Sequence, residues 1–117
     1  MGNYTHINLD YLNSMSGGDK DFMVEVIEEY MEREPANFQL LVDAIDALSY
    51  PNIRYYAHKL RSAVQMVGAK ELLQKLEQVE LLAAEKDEKS LVIFKSIPDL
   101  NAQVLLELKQ ELDNLRK

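Results

Sequence analysis

Residues 51–67 form the continuous stretch PNIRYYAHKLRSAVQMV. At about 100° per residue, its apolar side chains fall on one face of a helix. Pro51 suits the first turn of that helix, and Gly68 is a common left-handed stop after it. The stretch therefore predicts an amphipathic helix whose buried face carries Ile53, Tyr56, Leu60, Ala63, Val64 and Val67.

His58 falls on the opposite side of this predicted helix, roughly 170° from the centre of the apolar face. A histidine that helps to fill a core would lie on the apolar face. Its neighbours on the outer face are not acidic; they are Arg54, Arg61, Ser62 and Gln65. An exposed imidazole among cations and hydrogen-bond donors suits a phosphorylated histidine. It does not suit a metal site, since no His, Asp or Glu lies three or four residues away.

Apolar residues recur at helical spacing on both sides of this stretch. Residues 91–97 are predicted to form a helical turn or packed connector, because a single strand would have no pairing partner. The predicted helices are a short one over 9–15 that stops at Gly17-Gly18, then about 19–33, 36–48 after Pro35, 51–67, 69–86 and 99–115 after Pro98.

Successive amphipathic helices joined by short turns must run antiparallel to one another. We therefore predict an all-α fold, an up-and-down antiparallel four-helix bundle with one or two additional N-terminal helices. The length of 117 residues fits a single domain, residues 1–117. Residues 1–8 are polar and are predicted to be loosely ordered, with no role for His6.

Composition excludes several classes of function. A net charge of −7 would repel a nucleic-acid phosphate backbone, and no apolar stretch approaches a membrane span. The absence of cysteine excludes disulfides and cysteine metal sites. We expect a monomeric cytoplasmic protein that binds neither nucleic acid nor membrane.

Residues 57–69, AHKLRSAVQMVGA, resemble the signature of histidine-containing phosphotransfer (HPt) domains, usually written His-x-Leu-Lys-Gly-Ser-x-x-x-Leu-Gly-Ala. Leu9-Asp10-Tyr11-Leu12, followed by Gly17-Gly18-Asp19 and Phe22, is similar to the N-terminal pattern of that family. Residues 72–80 are similar to its following helix. The resemblance therefore covers roughly residues 7–86.

The resemblance implies that His58 accepts a phosphoryl group on the ring nitrogen farther from the backbone. Arg61 stands where the family usually has Lys, and its guanidinium is expected to pair with phosphoryl oxygens. Ser62 replaces a common Gly, and Ala63 replaces a frequent Ser. The predicted phosphate-stabilising residues are Arg61, Ser62, Gln65, Arg54 and Lys59, and the predicted docking residues are Val24, Met31 and Tyr55.

The family implies a phosphocarrier that takes a phosphoryl group from the aspartate of a receiver (response-regulator) domain, including that of a hybrid histidine kinase, and passes it to another receiver. No phosphate-cradling loop or kinase signature is present, so we expect no enzyme with its own ATP site. We expect no cofactor, with Mg²⁺ only on the receiver. Two alternatives stay open: an adaptor that binds a receiver or kinase without carrying phosphate, and the phosphorylated module of a chemotaxis-type kinase.

Overall fold

The computed structural model describes residues 3–117, and over that range the chain forms helices and turns without a β-strand. The prediction of an all-α protein is confirmed. The short helix predicted before Gly17 is present, and the 91–97 segment contributes to another short helix. The elements are α1 (Asp10–Ser16), α2 (Lys20–Asp46), α3 (Tyr50–Met66), α4 (Lys70–Ala84), α5 (Lys89–Phe94) and α6 (Ile97–Leu115).

α2 is one continuous helix of 27 residues, whereas the sequence predicted two helices separated near Pro35. Pro35 lacks the N–H that would donate to the carbonyl four residues earlier, and a proline ring also crowds that carbonyl. The helix continues because apolar residues before and after Pro35 share one buried face, and their packing outweighs both costs. The buried side chains are Met23, Ile27, Tyr30, Leu41 and Ala44.

The four long helices share one core. α3 packs against α2 and α4, and α6 contacts the same two helices. The predicted apolar face of α3 lies in this core, with Ile53, Leu60, Val64 and Val67 buried. The molecule is elongated, measuring 45 × 21 × 20 Å. Within residues 3–117, no helix combines the length and apolar character needed to cross a membrane.

Gly68 ends α3 and also receives the N-terminal segment. Its φ of +66° lies in the left-handed region, as the sequence predicted for a helix stop. The backbone N–H of Asn8 donates to the carbonyl of Val67 at 3.2 Å. A Cβ on Gly68 would lie 1.9 Å from the carbonyl oxygen of Asn8, so a side chain here would collide with backbone. Glycine is required both by the turn and by this close approach.

The N-terminal segment is attached to α6, which corrects the prediction of a loosely ordered tail for the described part of residues 1–8. The Tyr4 hydroxyl donates to Glu111 at 2.9 Å, and the His6 backbone N–H donates to Glu107 at 2.8 Å. The His6 ring nitrogen Nδ1 lies 2.6 Å from the same Glu107 carboxylate. Both glutamates are buried. His6 therefore has a structural contact that the sequence did not predict.

Candidate functional site

His58 lies at the middle of α3 on its outer face. Its side chain is 67% exposed, while Ala57 and Leu60 beside it are buried. The apolar stripe fixes the rotation of α3 against the core, and the rotation in turn holds the imidazole outward. The predicted orientation of the histidine is confirmed.

Glu80 of α4 is the closest partner of the imidazole. Its Oε2 lies 2.9 Å from Nδ1 of His58, and its side chain is only 16% exposed. The position follows from the apolar stripe of α4, since the adjacent Val79 is buried in the core. Helical spacing along α3 places no acid beside His58, but in the folded chain α4 brings Glu80 to the ring. The pair Glu77 and Glu80, three residues apart beside that stripe, was the available signal.

The hydrogen bond to Glu80 sets the chemistry of the ring. An ionised carboxylate accepts hydrogen bonds and cannot donate them, so Nδ1 carries the proton in this pair. In the neutral imidazole, the lone pair then lies on Nε2. The outward ring therefore offers one unprotonated nitrogen as a nucleophile, with a carboxylate behind it that stabilises positive charge on the ring.

Arg61 lies beside this pair but is bound to carboxylates. Its Nη1 donates to Oε1 of Glu80 at 3.0 Å, and its Nη2 lies 3.7 Å from Glu77. Its side chain is 37% exposed, and its Nε is buried without a hydrogen-bond partner in the described part of the chain. The structure therefore gives Arg61 a contact that the sequence did not predict: it orients Glu80, which in turn orients His58.

Arg54 and Tyr55 lie with His58 in an open groove, together with Pro51 and Glu80. A helical side chain leans toward the N-terminus of its helix, so the imidazole covers the turn that contains Arg54 rather than the turn after it. Arg54 is exposed and forms no ion pair with any residue in the described range. It is therefore a cation beside the ring with its hydrogen-bond donors available.

The other predicted phosphate-stabilising residues do not line the His58 groove. Ser62 lines a separate groove between α2 and α3. Gln65 and Lys59 are exposed on α3, and neither lines the His58 groove. Lys59 instead lies close enough to Glu34 of α2 to favour its ionised form.

Of the three predicted docking residues, one borders the His58 groove and two do not. Tyr55 is 59% exposed and borders the His58 groove. Val24 and Met31 are only partly buried but pack against the core. By helical geometry they lie on the side of α2 that also carries Glu28, which pairs with Arg116 after α6. That side faces away from α3, so the structure does not place them next to His58.

Comparisons with family models, with curated proteins and with solved structures found no match for this chain. Among residues 3–117, no group of three or more His, Cys, Asp or Glu side chains is placed to hold a metal ion. Any assignment of function to this chain therefore rests on the residues of the site and their geometry.

Proposed function

We propose that this chain is a histidine phosphotransfer protein of a two-component phosphorelay. His58 accepts a phosphoryl group on Nε2 from the aspartyl phosphate of a receiver domain and passes it to another receiver. The observation that carries the proposal is the exposed imidazole whose Nδ1 lies 2.9 Å from the largely buried Glu80. The four long helices correspond, in this proposal, to the up-and-down four-helix bundle that the sequence predicts.

The chemistry needs little from this chain beyond position and charge. Nε2 attacks phosphorus in line, the N–P bond forms, and the bond from phosphorus to the aspartate oxygen breaks. The aspartate leaves as a carboxylate with the electron pair. No proton has to be removed first, because Nε2 carries none when Nδ1 donates to Glu80. The ring becomes positively charged during attack, and the Glu80 carboxylate stabilises that charge. Onward transfer is the reverse of these steps on a second receiver.

Within this proposal, Arg54 replaces Arg61 as the cation that contacts the phosphoryl oxygens. Arg61 is already bound to Glu80 and Glu77, and its release would leave two acids beside an incoming anion. Arg54 has no such partner among the described residues and lines the same groove as the imidazole. Its guanidinium can donate two parallel hydrogen bonds to a phosphoryl group. Tyr55, exposed at the edge of the groove, is the docking candidate next to the ring.

The test is incubation with a panel of phosphorylated receivers, each carrying its own Mg²⁺, followed by detection of acid-labile phosphate on this chain. The chain contains two histidines, which provides a matched control. His58→Gln should abolish labelling, and His6→Gln should leave it unchanged. Labelling that survives in His58→Gln would reject the site.

The same assay separates the alternatives when an ATP-bound kinase domain is added to the receivers. A receiver that binds the chain without ever labelling it supports the adaptor. Labelling by an ATP-bound kinase domain and by no receiver supports the module of a chemotaxis-type kinase.

A further inference from the structure

A second groove lies between α2 and α3, on the other side of α3 from the His58 groove. Part of its wall is apolar, formed by Val26, Ala63 and Met66. Ser62, one helical turn after His58, borders it. The remaining lining residues are Glu29, Tyr30, Arg33 and Glu34.

Two buried polar atoms of residues lining this groove have no hydrogen-bond partner within residues 3–117. They are the hydroxyl oxygen of Tyr30, a residue only 6% exposed, and Oε2 of Glu34. The side-chain amide of Asn37 donates to the other carboxylate oxygen of Glu34, at 3.5 Å. Buried polar atoms are nearly always paired in native proteins, because an unpaired one loses its hydration without compensation. These two atoms are therefore hydrogen-bonding positions that a group from outside the chain can fill.

The pKa shifts of Glu34 and Tyr30 bear on which charge a group bound at these two oxygens should carry. Burial raises the pKa of the Glu34 carboxyl, which Asn37 and the nearby Lys59 only partly offset. Burial, and then the charge of Glu34, raise the pKa of the Tyr30 hydroxyl. Burial is the first cause of each shift, and Arg33, the cation that lines the groove, is paired with Glu29 at 3.2 Å. A cation here would bind the Glu34 carboxylate and could also donate to the Tyr30 oxygen.

We propose that this groove binds a lysine or arginine side chain of the partner protein. The aliphatic stem lies along Val26 and Met66, and the cation reaches Glu34 and Tyr30. Long basic side chains combine an apolar stem with a charged end, which matches an apolar wall next to a buried acid. The identity of the partner as a receiver rests on the proposed function, whereas the chemistry of the groove does not.

The test uses n-butylguanidinium as the probe and n-butylurea as its neutral counterpart of nearly the same shape. Methyl NMR shifts of Ala63 and Met66 report occupancy of the groove. The cation should bind about tenfold more tightly than the urea, which is the effect expected from one charge-assisted hydrogen bond. Glu34→Gln should remove this preference, and Glu32→Gln, an exposed acid on the same helix, should retain it.

Equal binding of the two probes to the original chain, or a preference that survives in Glu34→Gln, would overturn the proposal. Ser62→Met provides a second variant, because an exposed residue is replaced by one large enough to block both probes. His58→Gln should bind the probes normally. If phosphotransfer fails while the cation preference is present, the proposed function is wrong and the groove assignment stands. If transfer succeeds without the preference, only the groove assignment is wrong.

Discussion

Gly68→Ala should destabilise the fold far more than the same change at Gly17, although the two glycines have nearly equal φ angles of +66° and +61°. The left-handed conformation costs a residue with a Cβ about 1–2 kcal/mol, and this cost applies at both positions. At Gly17, an added Cβ meets nothing within 4 Å. Gly17→Ala therefore measures the backbone cost alone.

At Gly68, the added Cβ meets three backbone atoms of Asn8, at 1.9, 2.8 and 2.9 Å. Ordinary contact begins at 3.4 Å, so the N-terminal segment must move away from the end of α3. That movement breaks the Asn8 to Val67 hydrogen bond, worth about 1 kcal/mol, and disturbs Ile7 and Leu9, which are 5% and 4% exposed. We expect a total loss of at least about 3 kcal/mol in the free energy of unfolding.

Urea unfolding followed by circular dichroism measures both losses, and amide hydrogen exchange locates the change. Exchange of the His6 and Asn8 amides should accelerate in Gly68→Ala and stay slow in Gly17→Ala, since each amide donates a hydrogen bond in the folded chain. Equal losses of stability in the two variants would refute the reasoning. They would mean that the N-terminal segment does not rest on Gly68.

Three further predictions concern the two grooves. Glu80→Gln should slow phosphorylation of His58 about tenfold, because the charge-assisted hydrogen bond to Nδ1 is lost. The control variant Glu77→Gln should have little effect on this rate. Equal rates for the two variants would contradict the role of Glu80. Arg54→Ala should lower the transfer rate more than Arg61→Ala, since Arg61 is bound to Glu77 and Glu80 whereas Arg54 forms no ion pair with a described residue. Initial rates with one phosphorylated receiver decide this, and the reverse order would return the phosphoryl contact to Arg61. Burial raises the pKa of Glu34 in the folded chain above its unfolded value, so the folded chain holds more protons and stability falls as pH rises through that acidic range. Glu34→Gln should therefore be more stable than the original chain near neutral pH and lose this advantage in acid; urea unfolding across pH measures the gap, and a gap that does not change with pH would show that the titration of Glu34 is not its cause.

The orientation of His58 was predictable because it depends on one helix. The apolar stripe of residues 51–67 fixes which face of α3 is buried, and helical periodicity then places the imidazole outward. The stop at Gly68 was predictable for the same reason. Neither prediction required knowledge of which helices are neighbours.

The contacts of the ring were not predictable in this way, because they depend on the register between helices. Glu80 lies 22 residues after His58, and nothing along α3 indicates that α4 brings a carboxylate to Nδ1. The same limit explains why the sequence indicated a phosphoryl contact for Arg61 and not its ion pairs. Its partners Glu77 and Glu80 also come from α4. The sequence placed the right residue types near the site but not their pairing.

Two other errors came from local rules that packing overrode. Pro35 is a helix breaker by propensity, yet α2 continues past it because residues on both sides of Pro35 are buried on one face. The polar composition of residues 1–8 predicted a loosely ordered segment, but His6 and Tyr4 contact the buried Glu107 and Glu111. A polar N-terminal segment and buried acids explain each other only once the fold brings them together.

The role of His58 as the phosphorylated residue is tested most directly by locating the phosphorus atom after transfer from a receiver. Nitrogen-15 and phosphorus-31 NMR of the phosphorylated chain distinguish the two nitrogens of each imidazole. We expect phosphorus on Nε2 of His58, with Nδ1 still protonated and hydrogen-bonded to Glu80. Phosphorus on Nδ1 of His58 or on His6, or no phosphohistidine with any receiver tested, would contradict it.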